Sequence, residues 1–168
     1  MILESGRILL RPFESGDLAD LHAYASQPGV GEMAGWKHHE DLAESREMLD
    51  AFLAAPNTFA LVSQADGRVI GHLAVHDDSE DGRADTKELG FVLSRDYQRL
   101  GIMTEAVRAL LDQLRSMGIR HVYACCFQDN APSKGLIEKC GFRFEQEGTY
   151  HSKSLDRTFA SFEYVIDF

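Results

Sequence analysis

Glu88-Leu-Gly-Phe-Val-Leu-Ser-Arg-Asp-Tyr-Gln-Arg-Leu-Gly-Ile-Met-Thr-Glu-Ala-Val-Arg-Ala-Leu-Leu111 runs from a strand pattern, through a short loop, into an amphipathic helix. Leu89, Phe91 and Leu93 alternate with Glu88, Gly90 and Val92, so one face of the strand is large and apolar and the other small and open. Beyond the loop, Met103, Ala106, Val107, Leu110, Leu111, Leu114 and Met117 recur three and four apart, which predicts a helix with one buried stripe that ends at Gly118. Such a helix aims its unpaired first N–H groups, and the positive end of its dipole, at whatever lies over the loop. A phosphate or pyrophosphate suits that place.

Neither the Walker spacing with its lysine nor the three-glycine dinucleotide fingerprint is present. Gly101 is the single glycine between strand and helix, and one glycine also serves a plain turn. The next segment adds the missing information. After a strand from His121 to Phe127 comes Asn130-Ala-Pro-Ser-Lys-Gly-Leu-Ile-Glu-Lys-Cys-Gly-Phe142, a short asparagine-led helix closing on Gly-Phe.

The pair of segments resembles the GNAT superfamily of acetyl-CoA-dependent N-acetyltransferases. Gln98-Arg-Leu-Gly-Ile-Met103 stands in the first motif, and Asn130, Ser133, Glu138, Lys139, Gly141 and Phe142 stand in the second. Toward the N-terminus, Arg7-Ile-Leu-Leu-Arg-Pro-Phe13, Asp17-Leu and Gly35-Trp36 ahead of Glu44-Ser-Arg are similar to one branch, the ribosomal-protein N-terminal acetyltransferases of the RimJ/RimL type. The likeness covers essentially the whole chain.

The remaining elements follow from local patterns. Arg7 to Pro12 alternates as a strand, Asp17 to Ser26 reads as a helix with Ser15 or Asp17 near its cap, and Pro28-Gly29 breaks it. A second helix spans Asp41 to Ala55. Thr58 to Ser63 and Arg68 to His76 form a hairpin around Ala65-Asp66-Gly67, and Arg143 to Tyr150 with Thr158 to Asp167 a second one. The order predicts a single α/β domain over 1–168, with helices on both faces of a mixed sheet. The resemblance implies a mostly antiparallel seven-stranded sheet whose central strands splay, the cofactor lying in the gap.

Composition agrees with one ordinary domain: 168 residues, 44% of them hydrophobic, without repeats. The net charge of −10 argues against nucleic acid and favours cationic partners. No apolar run approaches about 18 residues and no signal-like start is seen, so no membrane partner is expected and the cytoplasm is the default compartment. Three cysteines lack disulfide or metal-ligand spacing, and no metal is expected. Cys125 and Cys126 are read as buried packing residues. The acidic run Asp77 to Asp81 is read as a solvated loop.

The resemblance implies acetyl-CoA as co-substrate. The loop Arg99, Leu100, Gly101, Ile102, Met103 and Thr104 would offer N–H groups to the pyrophosphate, with the Arg99 charge and the Thr104 hydroxyl added. The peptides of Phe91, Val92 and Leu93 would pair with the pantetheine as a strand adds to a sheet edge. Asn130 and Ser133 would hold its far side. Met103 stands where the family usually has glycine or alanine, so its side chain must turn into the core, and Leu100 replaces a frequent basic residue.

Acetyl transfer to an amine needs a group to take the ammonium proton, a fixed N–H at the growing oxyanion and a proton for the departing thiolate. Glu88, on the strand leading to the acetyl group, is the candidate base, and an N–H near Val92 or Leu93 the oxyanion donor. Ser133 is the candidate acid, because Ile137 occupies the position of the tyrosine acid found in many members. Trp36, His38 and Tyr150 are candidate walls of the acceptor site. The acceptor is a primary amine, a peptide N-terminus or a cationic small molecule, attacking directly in a ternary complex, and a homodimer stays open. The competing reading is a non-catalytic module that binds acetyl-CoA as a sensor or scaffold.

Overall fold

Gly6, with φ of +43°, turns the chain back so that Leu3–Ser5 (β1) pairs with Ile8–Pro12 (β2) in register Ser5 to Ile8. Three residues carry too little alternation to be read from sequence, so the sheet has eight strands where seven were expected. The computed structural model describes residues 1–168. After β2 come Leu18–Ala25 (α1), Leu42–Ala54 (α2), Thr58–Ser63 (β3), Val69–Asp77 (β4), Thr86–Leu93 (β5), Ile102–Ser116 (α3), His121–Phe127 (β6), Ala131–Lys139 (α4), Arg143–Ser152 (β7) and Arg157–Asp167 (β8).

The strands lie in the order β1-β2-β3-β4-β5-β6-β8-β7, and every pairing is antiparallel except β5 with β6. That exception follows from α3, a crossover helix that returns the chain to the same end of the sheet. The β5–β6 ladder stops at Leu89 opposite Ala124. Beyond that point β5 stays paired with β4 as far as Leu93 opposite Gly71, and β6 stays paired with β8 as far as Phe127 opposite Ser161. Each central strand follows its outer neighbour, so a gap opens between them.

Two cores flank the sheet. Leu73, Leu89, Val122, Ala124 and Tyr164 pack with Leu110 and Leu114 of α3 and Ile137 of α4 on one face. Phe13, Leu21, Tyr24, Leu49, Val69 and Val92 pack on the other, beneath α1 and α2. Met103 is only 3% exposed and lies in the first core, as its neighbours in the stripe require. Met117 does not continue that stripe: α3 ends at Ser116, the chain turns at Gly118 with φ of +86°, and Met117 is 61% exposed.

Arg11 holds the start of α1 in place. Its two terminal nitrogens meet both oxygens of Asp17 at 2.8 Å, and Asp17 also accepts the Glu14 N–H. Under α1 the Tyr24 hydroxyl lies 3.0 Å from Nδ1 of His72. Burial pushes the His72 imidazole down to about 4 from 6.5. The unfolded chain therefore takes up this proton first, and stability falls as pH drops from 6.5 toward 4. The loss across that window is about 3 kcal/mol, at 1.36 kcal/mol per unit. Urea midpoints measured against pH should fall in this interval for the parent and stay flatter for His72→Gln.

Candidate active site

The gap between Gly90–Leu93 and Cys125–Phe127 is part of one continuous cavity of about 1060 Å³. Its lining passes from the loop before α3, along β5 and β6, to α4 and the β7–β8 hairpin. Ser94 donates to the Ile70 carbonyl at 2.7 Å, which places Val92 and His72 in a hydrogen-bonded pair of the antiparallel ladder. Alternation then turns the peptide groups of Phe91 and Leu93 toward the gap and those of Val92 toward β4. The Leu93 carbonyl accepts Nε2 of Gln98 at 3.0 Å. Of the three residues expected to meet the pantetheine, Phe91 turns its backbone groups toward the gap, Leu93 offers its N–H there while its carbonyl is taken by Gln98, and Val92 faces β4.

The loop before α3 leaves backbone N–H groups unpaired at the cavity. Arg99 and Gly101 both adopt left-handed conformations, φ +63° and +75°, and Gly101 caps the helix. Glu105 donates to the Gly101 carbonyl at 3.0 Å, the first bond of the helix, so the N–H groups of Ile102, Met103 and Thr104 lack intrahelical acceptors. Arg99, Gly101, Ile102, Met103 and Thr104 line the cavity. Leu100 does not: it is 56% exposed and faces outward.

Sequence reasoning missed the residue that fixes this loop. Arg7, in the β1–β2 turn, donates through Nη1 to the Leu100 carbonyl at 2.9 Å, and through Nε and its backbone N–H to Glu105 at 2.9 and 2.8 Å. No local pattern could signal a contact across 93 residues. Arg7→Ala should therefore raise the KM for acetyl-CoA, by up to about fivefold given the modest value of exposed ion pairs, and leave kcat nearly unchanged. Steady-state kinetics at fixed acceptor would check it.

Asn130 and Ser133 also line the cavity. Asn130 caps α4, its Oδ1 accepting the Ser133 N–H at 3.2 Å, while Nδ2 donates to the Met33 carbonyl at 3.4 Å. Its side chain is thus engaged in shaping the wall. The Ser133 hydroxyl stays available. Ile137 is fully buried in the core and does not line the cavity.

Gly29, Val30, Met33 and Ala34 form a roof over the cavity, at the start of a segment that runs to His39. Ser152 Oγ donates to the Gly35 carbonyl at 2.5 Å, and a Cβ on Gly35 would lie 2.7 Å from the Tyr150 ring. Tyr150 lines the cavity beside Phe127, ring centroids 5.8 Å apart. Trp36 and His38 do not line it. Trp36 lies over Gly31, whose Cβ would meet Cε3 at 2.3 Å, and packs on His39. His38 is held by Glu32 at 2.6 Å. Partial burial raises the Glu32 carboxyl, but hydrogen bonds from the His38 side chain and from backbone N–H groups outweigh it and hold it at about 2. Both residues stiffen the roof.

Glu88 is half-buried on the cavity wall, opposite His76 on β4 and abreast of Tyr123 on β6. Cys125 follows on the same face and is open to the cavity, contrary to its reading as a packed residue. Burial pushes its thiol up to about 12, with Glu88 and Glu163 adding to the shift. It stays protonated and non-nucleophilic at neutral pH. The acidic loop is solvated, with Ser79 to Ala84 exposed, and its Asp78, Glu80 and Asp81 also border the mouth of the cavity together with Glu145 and Glu163. Arg95 and Arg99 line the opposite end, and at the Glu88 end carboxylates outnumber Arg83 and Lys87, so the cavity is positive near the loop before α3 and negative near Glu88.

Residues 7–143 match the family described as Acetyltransferase (GNAT) domain. An uncharacterised N-acetyltransferase, p20 of Bacillus licheniformis, is 28% identical over 150 residues, which cover 85% of this chain and 83% of that protein. A GNAT-family acetyltransferase of Bacillus anthracis superposes with a TM-score of 0.84 at 24% identity, covering 99% of this chain and 98% of the other. The microcin C7 self-immunity acetyltransferase MccE, solved with acetyl-CoA and AMP, superposes with a TM-score of 0.83 at 15% identity, covering 98% and 94% of the two chains. No helix is long and apolar enough to cross a membrane.

Proposed function

The chain belongs to the GNAT acetyltransferase family and is an acetyl-CoA-dependent N-acetyltransferase acting on an amine, and from that premise we propose that it acetylates a cationic primary amine by direct attack in a ternary complex. One observation carries the proposal: a single cavity joins a positive anion loop to a carboxylate-lined mouth, with the sheet splayed between them. Pyrophosphate suits one end and an ammonium the other.

The chain's own groups supply what the transfer needs. The free N–H groups along β5 face the gap and can hold the pantetheine and the carbonyl oxygen as it gains charge. Glu88 is the carboxylate that draws the ammonium in and helps it shed its proton. Ser133 can donate toward the departing thiolate. Tyr150 and the roof enclose the acceptor. A protonated Cys125 argues against an acetyl-enzyme intermediate.

The N-terminal motifs Arg7 to Phe13 and Gly35-Trp36 support the RimJ/RimL type, which acts on protein N-termini. The carboxylates at the mouth also suit a polyamine or aminoglycoside. Free-thiol release from acetyl-CoA, measured across N-terminal peptides, polyamines and aminoglycosides, tests the reading. Turnover on a cationic amine is expected. Tight acetyl-CoA binding with no thiol release on any amine would instead support a sensor or scaffold.

A further inference from the structure

Resting on that reading, we propose that His76 is the seat of the acceptor's proton, and that Glu88 serves as the charge partner of its imidazolium. The β5–β6 ladder ends at Leu89 opposite Ala124, so the thioester end of the gap lies beside Gly90. On this face Gly90 and Ala74 leave the sheet bare, and His76 leans over the space: its Nε2 is 3.6 Å from where a Gly90 Cβ would stand. His76 and Glu88 are directly opposite in the β4–β5 register, in a hydrogen-bonded pair, which puts their Cβ atoms about 5 Å apart.

The other groups facing this spot are poor bases. Cys125 is held up near 12 by burial and by Glu88 and Glu163, and burial raises the Tyr123 hydroxyl. His72, two residues back on β4, is buried and paired with Tyr24. Asp77 is engaged with Lys87 on the opposite face, Asp78 accepts N–H groups of its own loop, Glu163 accepts from Gln146, and Glu80, Asp81 and Glu145 are exposed at the mouth. That leaves His76 and Glu88. As a class, an imidazole matches an amine's proton far better than a carboxylate does.

The step balances. R–NH3+ gives one proton to His76 and attacks the thioester carbon, forming C–N as C–S breaks. The second nitrogen proton ends on the thiolate, yielding the acetamide, CoA thiol and one proton released from His76 to solvent.

The test is His76→Asn and His76→Ala in the full chain with a turned-over amine, following kcat, both KM values, pH dependence and rescue by free imidazole. His76 sits at the exposed end of β4, and retained acetyl-CoA affinity will certify folding. The expected result is a loss of about 100-fold in kcat, the usual scale for a general base. The deficit should shrink as pH rises, imidazole should restore part of it in His76→Ala, and KM for acetyl-CoA should not move. A loss below about threefold, or a larger one that is pH-independent and unrescued, overturns the assignment to His76 while the acetyl-transfer reading stands. No amine turned over by the parent chain overturns both.

Discussion

Gly71→Ala is expected to destabilise the protein and weaken acetyl-CoA together. A Cβ at this position would stand 2.2 Å from the Val92 carbonyl oxygen, 3.0 Å from the Leu93 Cα and 3.1 Å from the Val92 carbonyl carbon. All three are backbone atoms, so no rotamer change can relieve the clash. The close approach arises because the β3–β4 register shifts beside Leu61 and Val62, leaving Ile70 as an extra residue next to Gly71. Separating β4 from β5 should cost about 3 kcal/mol, the upper end for an overpacked site. For a chain of this size that corresponds to a thermal midpoint lower by roughly 6–12 °C. The same displacement moves the Phe91 and Leu93 peptides, so acetyl-CoA binding should fall as well. Gly90→Ala is the control: its Cβ meets only His76 Nε2 at 3.6 Å and the Ala74 Cβ at 3.9 Å, ordinary contacts. Its midpoint should be close to that of the parent.

Gly101→Val should act on the cofactor more than on the fold. Gly101 has φ of +75°, where a β-branched residue is strained by about 1–2 kcal/mol. Its backbone opens α3 beneath the expected phosphates, so relief of the strain must move the N–H groups of the first turn. A roughly 30-fold rise in the dissociation constant for acetyl-CoA is expected, equivalent to about 2 kcal/mol. Gly67→Val separates strain from site, since Gly67 has φ of +72° in the β3–β4 turn and nothing within 4 Å of its Cβ. Calorimetric titration should find Gly67→Val destabilised with normal affinity and Gly101→Val deficient in affinity. Equal affinities would mean that the loop does not meet the cofactor.

What the sequence revealed was what short-range physics governs. The stripe from Met103 to Leu114, the Asn130 cap and the hairpin glycine each depend on residues within a turn or two. The inward turn of Met103 followed from the same stripe. The errors lie where the partner is remote. β1 needed β2 to exist, and Met117 needed the helix to end one residue earlier. Trp36 and His38 are chemically suited to an acceptor wall, but Gly31, His39 and Glu32 claim them. Arg7, the acidic loop, Cys125 and His76 join the site only through tertiary contacts, and His76 became visible only when the β4–β5 register set it opposite Glu88.

The central claim is that one cavity holds acetyl donor and amine together, with no acetyl group resting on the protein. Initial rates measured with acetyl-CoA and a cationic amine varied against each other test it most directly. Intersecting double-reciprocal lines, with the protein found unacetylated by mass spectrometry, are the predicted result. Parallel lines, with an acetyl group on Cys125, would contradict it.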